Sequence, residues 1–332
     1  MTSDPPGADE FETIARLLRP LAPAPEALGL ADDAAAIPSR PGQDLIVSKD
    51  AMVAGVHFLA DDPLDLVARK LLRANLSDLA AKAAEPYGYF LAIAWPEGTG
   101  WAERERLAAG LAEDQARFDV TLLGGDTVST PGPLTLSATI LGWTPSGAIV
   151  RRSGARPGDR VLVSGTIGDG WLGLKAARGQ LDGIVPRGAA DWLAGRYRLP
   201  EPRLELRDPL RARANAAADV SDGLVADAGH IAETSAVRLR LDLTRLPVSE
   251  PAARWLERQG DRAQALAALA TGGDDYEVVL TCAPAHASIL IAEAEAAGVA
   301  LTEIGEAVDG EGVAVTFEDC ELQLDRSGWR HG

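Results

Sequence analysis

Cysteine is scarce in this chain, which has only Cys282 and Cys320 among its 332 residues. The two residues form no CxxC motif, so the sequence indicates neither a zinc site nor a disulfide framework. A reduced cysteine behaves as a small hydrophobic residue in most folds. We therefore predict two reduced thiols in or near the core.

Basic residues and long apolar runs are also in short supply. Lys and Arg number 32 against 49 Asp and Glu, a formal net charge of −17, and no basic run exceeds two residues. This balance disfavours nucleic acid as a partner. No apolar run approaches the length of a membrane span, and residues 1–10, which are typical of a loose tail, lack the features of a signal peptide. We predict a cytosolic protein with no membrane partner.

The phosphate-binding motifs of several nucleotide-binding folds are absent. The sequence has no P-loop and no HRD and DFG pair of a protein kinase, and GTIGDG at residues 165–170 lacks dinucleotide-binding spacing. An acidic enzyme that handles phosphates needs cations to bridge the like charges. Divalent metal is therefore an early expectation.

The length allows two domains, and 46% of the residues are hydrophobic. A Gly-, Pro- and Arg-rich stretch at residues 144–159 predicts a boundary between domains at residues 11–145 and 150–332. Strand and helix patterns alternate in both, which predicts a mixed α/β fold. The predicted strands are residues 44–50, 89–95, 120–123, 134–143, 160–165, 216–220, 237–243 and 276–282. The predicted helices are residues 11–19, 62–84 (N-cap Asp62, then Pro63), 101–118, 250–270 and 284–297, with others starting after Asp169 and near Ser221.

Aspartates recur at or just past the predicted strands. Asp50 closes LIVSKD, Asp126 follows Gly124-Gly125, and Asp219 is the last residue but one of AAADV. Side chains at strand ends can converge on one cleft, and carboxylate oxygens suit Mg²⁺. The two glycines permit close approach of the backbone, whose N–H groups could face a phosphate. Further candidates are Asp32-Asp33, Asp222, and the pair Asn75 and Asp78, which share one face of a predicted helix.

Each of these motifs alone also has an ordinary structural explanation. An aspartate at a strand end is commonly a turn or cap residue, and Gly-Gly-Asp is a common turn. His57 in GVHF, considered alone, favours a structural or surface role. Only the joint presence of the motifs points to chemistry.

The order of the motifs carries a resemblance to a known family. GLADDAAAI, VSKDAMVAGVHF, RANLSDLAAKAAEP, LLGGDT, RRSGARPGD, SGTIGD, ADVSDGL, GGDDYE and GWRH follow one another from about Gly29 to Trp329. This series resembles the thiamine-monophosphate kinase family, within a wider group that includes aminoimidazole-ribonucleotide synthetase and selenophosphate synthetase. DxxxxGVHF joined to NLSDLAAxxAxP favours the kinase branch.

The resemblance implies a fold and a reaction. The N-terminal domain would join strands with a second subunit in a barrel across a homodimer, and it would carry the Mg²⁺ and ATP site. The C-terminal domain would hold the substrate and nucleotide cleft. ATP, several Mg²⁺ ions and thiamine monophosphate would give ADP and thiamine diphosphate without a protein nucleophile, because the substrate's own phosphate oxygen attacks.

The resemblance also implies the site residues. The nucleotide contacts would be Gly125, Asp126, Arg152 and Ser221, and the substrate contacts His57, Asp274 and Trp329. The metal ligands would be Asp33, Ser48, Asp50, Asp78, Asp126, Asp219 and Asp222.

The chain departs from the family pattern at a few positions, and two other hypotheses remain open. Lys49 stands where the family usually has Thr, and Asp274 where it usually has Glu; Ala31 and Lys82 are further departures. One alternative is a related ATP-using synthetase with another substrate. The other is a nucleotide-binding regulator without catalysis.

Overall fold

The computed structural model describes residues 10–329, so the predicted tail lies outside the described residues apart from Glu10. Within the described range the chain forms two compact units. The N-terminal unit comprises residues up to Leu79 together with Glu85–Gly147, and the C-terminal unit comprises Ala80–Ala84 and the residues from Ala148 onward. The predicted domain ranges and the roles attached to them stay predictions.

A four-stranded sheet organises the described part of the N-terminal unit. Its strands are β1 (Gln43–Val53), β2 (Glu85–Pro96), β3 (Thr121–Thr130) and β4 (Thr135–Pro145), in the order β1-β4-β2-β3. β2 and β3 are parallel, and the other pairs are antiparallel. Residues alternate between two faces along each strand. In β4 and β2 one face is deeply buried, with Ala138, Ile140 and Tyr89 fully enclosed.

Helical segments complete this unit. α1 (Glu10–Thr13) continues as a π-helical turn and a 3₁₀ turn to Leu21, and a further 3₁₀ segment spans Pro25–Leu30. α2 (Leu64–Ala81) is buried along almost its whole length, and α3 (Trp101–Phe118) is amphipathic. The helices predicted at residues 11–19 and 101–118 are confirmed, the first with mixed helical geometry.

A buried ion-pair cluster joins α2 to α3. The Arg73 guanidinium donates two hydrogen bonds to the Asp114 carboxylate, at 2.6 and 3.0 Å, and Arg69 Nε donates a third at 3.0 Å. The side chains of Asp114 and Arg73 are 0% and 2% exposed. A buried charge is tolerated only when such partners replace water, so this cluster fixes how the two helices lie against each other.

A seven-stranded sheet organises the described part of the C-terminal unit, in the order β11-β10-β7-β9-β5-β8-β6. β10 and β7 are parallel, and the remaining neighbours are antiparallel. β8 is an interior strand between β5 and β6, and all six of its residues are buried. The strands are β5 (Arg160–Ser164), β6 (Ala214–Val220), β7 (Arg238–Asp242), β8 (Glu277–Cys282), β9 (Leu301–Val308), β10 (Gly312–Phe317) and β11 (Cys320–Glu321).

Helices cover both faces of this sheet. They are α4 (Asp169–Ala177), α5 (Arg187–Arg198), α6 (Arg207–Arg213), α7 (Leu224–Ser235), α8 (Glu250–Leu256), α9 (Arg262–Ala270) and α10 (Pro284–Ala296). Val163 and Val279 belong to a core shared with α4, α7, α8 and α9, whereas Leu162 and Leu280 belong to a second core shared with α6 and α10. Consecutive residues of a buried strand thus point into opposite cores. Because both faces are buried, these strands consist of continuous apolar runs.

Several predicted boundaries are wrong for identifiable reasons. The helix predicted at 62–84 starts at Leu64, because the Asp62 carboxylate accepts the Leu59 N–H and closes the preceding turn. That helix ends at Ala81, since Ala83 adopts a left-handed φ of 56°. The helix expected from Ser221 starts at Leu224. The helix predicted at 250–270 is two helices, the second capped by Asp261. α5, α6 and β9 to β11 have no counterpart among the predicted elements.

Asp50 and Asp126 lie inside strands, contrary to the expectation that they end strands. β1 continues to Val53 and β3 to Thr130, so Gly124-Gly125 is strand backbone and not a turn. Asp219 is the last residue but one of β6, as predicted.

The two cysteines differ in environment. Both are free thiols, as predicted, but only Cys282 is buried, while Cys320 is exposed in the short edge strand β11. Burial raises the pKa of Cys282 to about 11. No helix within residues 10–329 is both long and apolar enough to cross a membrane.

We expect Asp114→Ala to lower the free energy of unfolding of the N-terminal unit by about 3–5 kcal/mol, because it removes the carboxylate to which the buried Arg73 guanidinium donates two hydrogen bonds. Urea denaturation followed by circular dichroism measures this change.

Asp65→Ala is the matched control, since Asp65 also joins α2 to α3 through an ion pair with Arg106, at 2.7 Å. That pair is largely exposed, so its loss should cost less than about 1 kcal/mol. Equal losses in the two variants would contradict the role assigned to burial.

Candidate functional site

The first cluster of predicted site residues lies between β1 and α2. Ser48 Oγ donates a hydrogen bond to Asp78 Oδ2 at 2.5 Å. The Asp50 N–H donates to Asn75 Oδ1 at 3.2 Å, and Asn75 Nδ2 is held by the Leu71 carbonyl at 2.8 Å. Asn75 and Asp78 thus present one helix face to β1, as predicted. The structure brings together Ser48, Asp50 and Asp78.

Lys49 does not neutralise this cluster. Side chains alternate along β1, so Lys49 points away from the face that carries Ser48 and Asp50. Its Nζ lies 3.3 Å from Thr139 Oγ1 on β4. Lys49 departs from the family pattern, but it therefore adds no positive charge to the cluster of Asp50 and Asp78.

A second group of predicted residues lines a cavity of about 360 Å³ in the N-terminal unit. Asp33, Gly125 and Asp126 contribute to its wall, together with Asp32 and Phe90. The cavity lies along the free edge of β3, opposite the segment that follows the 3₁₀ turn Pro25–Leu30. A pocket of this size with carboxylates in its wall is suited to a polar or cation-bound ligand.

The register separates Asp126 from Asp50. Asp50 lies in one row with Ala138, Leu91 and Gly125, and the side chain of Asp126 leaves the opposite face. Asp50 is on β1 and Asp126 is on β3, and these strands are separated by three interstrand spacings in the sheet, which corresponds to about 14 Å. Within the N-terminal unit these two carboxylates do not share one ion.

The oxygen donors fit a hard cation such as Mg²⁺, because Asp and Ser oxygens are its usual protein ligands. Across residues 10–329, however, no group of three or more His, Cys, Asp or Glu side chains is close enough to hold a metal ion. Five of the predicted ligands belong to the N-terminal unit, and Asp219 and Asp222 belong to the C-terminal unit. The predicted metal set stays a prediction.

Three loops of the C-terminal unit, called here the site loops, comprise residues 221–223, 272–276 and 328–329. The Asp274 N–H donates to the Ser221 carbonyl at 2.8 Å, and the Trp329 N–H donates to the Asp222 carbonyl at 2.9 Å. Tyr276 N–H also donates to the Val220 carbonyl at 2.7 Å. These backbone contacts bring together Ser221, Asp222, Asp274 and Trp329, which the sequence places far apart.

Asp227 was not among the predicted site residues, yet it contacts this group directly. Its Oδ2 accepts hydrogen bonds from the N–H groups of Ser221, Asp222 and Gly223, at 3.0, 3.1 and 3.2 Å. Burial and the nearby Asp222 raise its pKa to about 7, although these hydrogen bonds and Arg152 act in the opposite direction. In the sequence Asp227 resembles an ordinary acidic residue in a first helical turn.

The segment that carries Asp274 is held by a second buried carboxylate. Asp275 accepts the N–H groups of Gly168 and Gly170 at 2.8 and 2.9 Å, and burial raises its pKa well above the ordinary value. Asp274 itself has a left-handed φ of 69°. The motifs SGTIGD and GGDDYE therefore lock together at the start of α4.

His57 lies in the N-terminal unit, just after β1. Its Nδ1 accepts a hydrogen bond from the Val53 N–H at 3.1 Å, and its carbonyl accepts one from Lys70 Nζ at 3.1 Å. The structure does not place it in the same unit as Asp274 and Trp329. Its assignment to the substrate stays a prediction.

Comparison with known proteins identifies the family. Residues 31–144 match the AIR synthase related protein, N-terminal domain, and residues 156–318 match the AIR synthase related protein, C-terminal domain. The chain is 58% identical over 327 residues to the thiamine-monophosphate kinase of Caulobacter vibrioides, covering 97% of this chain and 91% of that relative. The chain belongs to the thiamine-monophosphate kinase family.

Solved structures of this family share the fold. The thiamine-monophosphate kinase of Stenotrophomonas maltophilia is 37% identical, with a TM-score of 0.81 over 92% of this chain and 96% of that one. AaThiL complexed with AMPPCP and TMP is 28% identical, with a TM-score of 0.77 over 91% of each chain. The family resemblance and the two-domain mixed α/β fold are confirmed, and the barrel across two subunits stays a prediction.

We expect Gly125→Ala to destabilise the protein by about 3 kcal/mol or more, because the added Cβ would lie 1.8 Å from the Leu91 carbonyl oxygen on β2. The sequence predicted a close backbone approach at Gly124-Gly125, and in the structure the backbone that comes close is the neighbouring strand β2. Thermal unfolding of the variant measures the loss.

Gly124→Ala is the control from the same motif. Its Cβ would lie 3.1 Å from the Phe90 ring, which can shift into the adjoining cavity. A Gly124 variant that is destabilised as much as the Gly125 variant would contradict this explanation.

Proposed function

We propose that this chain transfers the γ-phosphoryl group of ATP to the phosphate of thiamine monophosphate. The bond between the γ-phosphorus and its bridging oxygen breaks, a bond to the acceptor's phosphate oxygen forms, and ADP and thiamine diphosphate leave. The single observation that carries this proposal is the 58% identity, over 97% of the chain, to a protein named thiamine-monophosphate kinase. The AaThiL complex with AMPPCP, an ATP analogue, and TMP supports both substrates.

Mg²⁺ ions, when bound, would neutralise the negative charge on the reacting phosphates. Asp78 and Asp50 would be ligands from the β1–α2 cluster, with Ser48 Oγ orienting the Asp78 carboxylate by its hydrogen bond. Asp33 and Asp126 would be ligands from the cavity wall. Asp219 and Asp222 are the proposed ligands of the C-terminal unit.

The remaining residues would bind and orient the two substrates. Gly125, Asp126, Arg152 and Ser221 are the proposed nucleotide contacts, and the exposed Arg152 guanidinium suits a charge-assisted hydrogen bond to phosphate. His57, Asp274 and Trp329 are the proposed substrate contacts. Trp329 is 52% exposed, and an indole ring suits stacking on a cationic heterocycle.

The reaction needs no protein nucleophile, because the acceptor phosphate supplies the attacking oxygen. The protein's contribution is to position the two phosphates and to balance their charge. We assign the Mg²⁺ and ATP site and dimerisation to residues 11–145, and the substrate and nucleotide cleft to residues 150–332. We also propose a cytosolic location for the enzyme.

The direct test is product formation from ATP, Mg²⁺ and thiamine monophosphate, followed by separation of ADP and thiamine diphosphate. We expect Asp126→Asn to lower kcat by about 10² or more without lowering the melting temperature, because the lost charge is needed mainly in the transition state.

Asp119→Asn serves as the control, since Asp119 is a left-handed C-cap of α3 at which Asn is well tolerated. Its kcat should equal that of the wild type. Turnover of an aminoimidazole precursor, with none of thiamine monophosphate, would favour the related synthetase. ATP binding without any product would favour the regulator.

The homodimer is supported by the open edges of the N-terminal sheet. β1 and β3 are the edge strands, and Leu45, Val47 and Val128 on them are 40%, 55% and 51% exposed. Unpaired edges with exposed apolar side chains favour association with another chain. A second copy of this sheet is the partner that the predicted barrel requires.

We expect Val47→Asp to convert the dimer to a monomer, because it would place a carboxylate in an apolar interface. Sedimentation velocity at micromolar concentration measures the mass. Ile289→Asp is the control, since Ile289 is similarly exposed on α10 of the other unit. A monomeric wild type, or a dimeric Val47 variant, would overturn the assignment.

A further inference from the structure

We propose that Asp227 is a positioning residue, which holds the site loops in the conformation that the reaction needs. The inference deepens the proposed function and rests on it, because the loops carry Ser221, Asp222, Asp274 and Trp329. Asp227 itself is 1% exposed and is not placed against either substrate.

The carboxylate of Asp227 bonds to the loop that precedes α7. It accepts the N–H groups of Ser221, Asp222 and Gly223, three consecutive residues that precede α7. An acidic residue that caps a helix normally serves N–H groups of the helix's first turn or of its N-cap. Here two of the three donors precede the N-cap residue Gly223. The carboxylate therefore fixes the loop and not only the helix end.

The site loops contact one another through their backbones. The carbonyl groups of Ser221 and Asp222 accept the N–H groups of Asp274 and Trp329. A Cβ added to Gly273 would lie 2.6 Å from the Ser221 carbonyl oxygen, and one added to Gly328 would lie 2.6 Å from that of Asp222. Since the three loops touch through their backbones, any displacement of residues 221–223 must move the other two.

Burial of the Asp227 carboxylate has a cost in free energy. A buried carboxylate loses its hydration, and for Asp227 three backbone N–H groups and the positive charge of Arg152 offset this loss. If Asp227 were absent, three N–H groups of a partly buried loop would need other acceptors. A loop of this kind would sample several conformations, and a misplacement of about 1 Å can cost a reaction about 10² in rate.

Hydrogen exchange of the unliganded protein tests the network without relying on activity. In Asp227→Ala, amide exchange should become at least about tenfold faster in peptides covering 220–224, 273–276 and 328–329. Leu290→Ala is the control, because it truncates a fully buried side chain on α10 and should lower the melting temperature of the protein. Its three site-loop peptides should exchange as in the wild type.

Kinetics then separates positioning from stability. Well below its melting temperature, Asp227→Ala should lower kcat by about tenfold to a hundredfold, whereas Leu290→Ala should keep the wild-type kcat. Asp227→Asn keeps an oxygen acceptor and should restore both kcat and slow exchange to within about threefold of the wild type. Unchanged exchange and kcat in a folded Asp227→Ala variant would overturn the proposal, as would equal kcat losses in Leu290→Ala.

If Asp227→Ala does not fold, Asp227→Glu decides the question, because it keeps the charge but moves the acceptor by one methylene. Faster loop exchange with a lowered kcat supports positioning, and wild-type values of both overturn it. A wild-type protein that makes no thiamine diphosphate refutes the proposed function. The exchange data would still show whether Asp227 holds the loops.

Discussion

Buried carboxylates among residues 10–329 are held by N–H, guanidinium or hydroxyl donors that replace water, and four of them tie together the elements that supply those donors. Asp114 between α2 and α3 is satisfied by two arginines, and Glu277 at the start of β8 by Arg203, Arg196 and the Ser164 hydroxyl. Asp227 and Asp275 are satisfied mainly by backbone N–H groups. Because leaving any of these charges unpaired costs several kcal/mol, each fixes the elements that supply its donors.

The same requirement gives the two units different kinds of site. In the N-terminal unit Ser48 and Asp50 stand on a strand and Asp78 on a buried helix. In the C-terminal unit Asp219 stands on β6, whereas Ser221, Asp222, Asp274 and Trp329 stand on loops, which depend on internal contacts for their order. A carboxylate that accepts hydrogen bonds from loop N–H groups orders those loops. Hydrogen bonds to neighbouring strands do the same for a strand in a sheet.

The sequence predicted most of the helices and strands and supplied a list of candidate site residues, but it did not predict which residues would lie next to one another. Periodicity located α3 and β7 well, and motif order indicated the family. The prediction that Asp126 ends a strand was wrong, because Gly-Gly-Asp has the composition of a turn while β3 continues through it. Sequence patterns also missed Asp227, because one acidic residue in a first helical turn is too common to signal a loop anchor.

The sequence by itself determined the local conformations, the family and the residue types available for phosphate chemistry, since these depend on short-range patterns. Only the tertiary structure decided which face of the sheet each aspartate leaves, so that Asp50 meets Asn75 while Asp126 meets the cavity. It also decided that residues 221–223, 272–276 and 328–329 bond to one another. These outcomes depend on strand register and on the partners of buried groups, which are contacts between residues far apart in the chain.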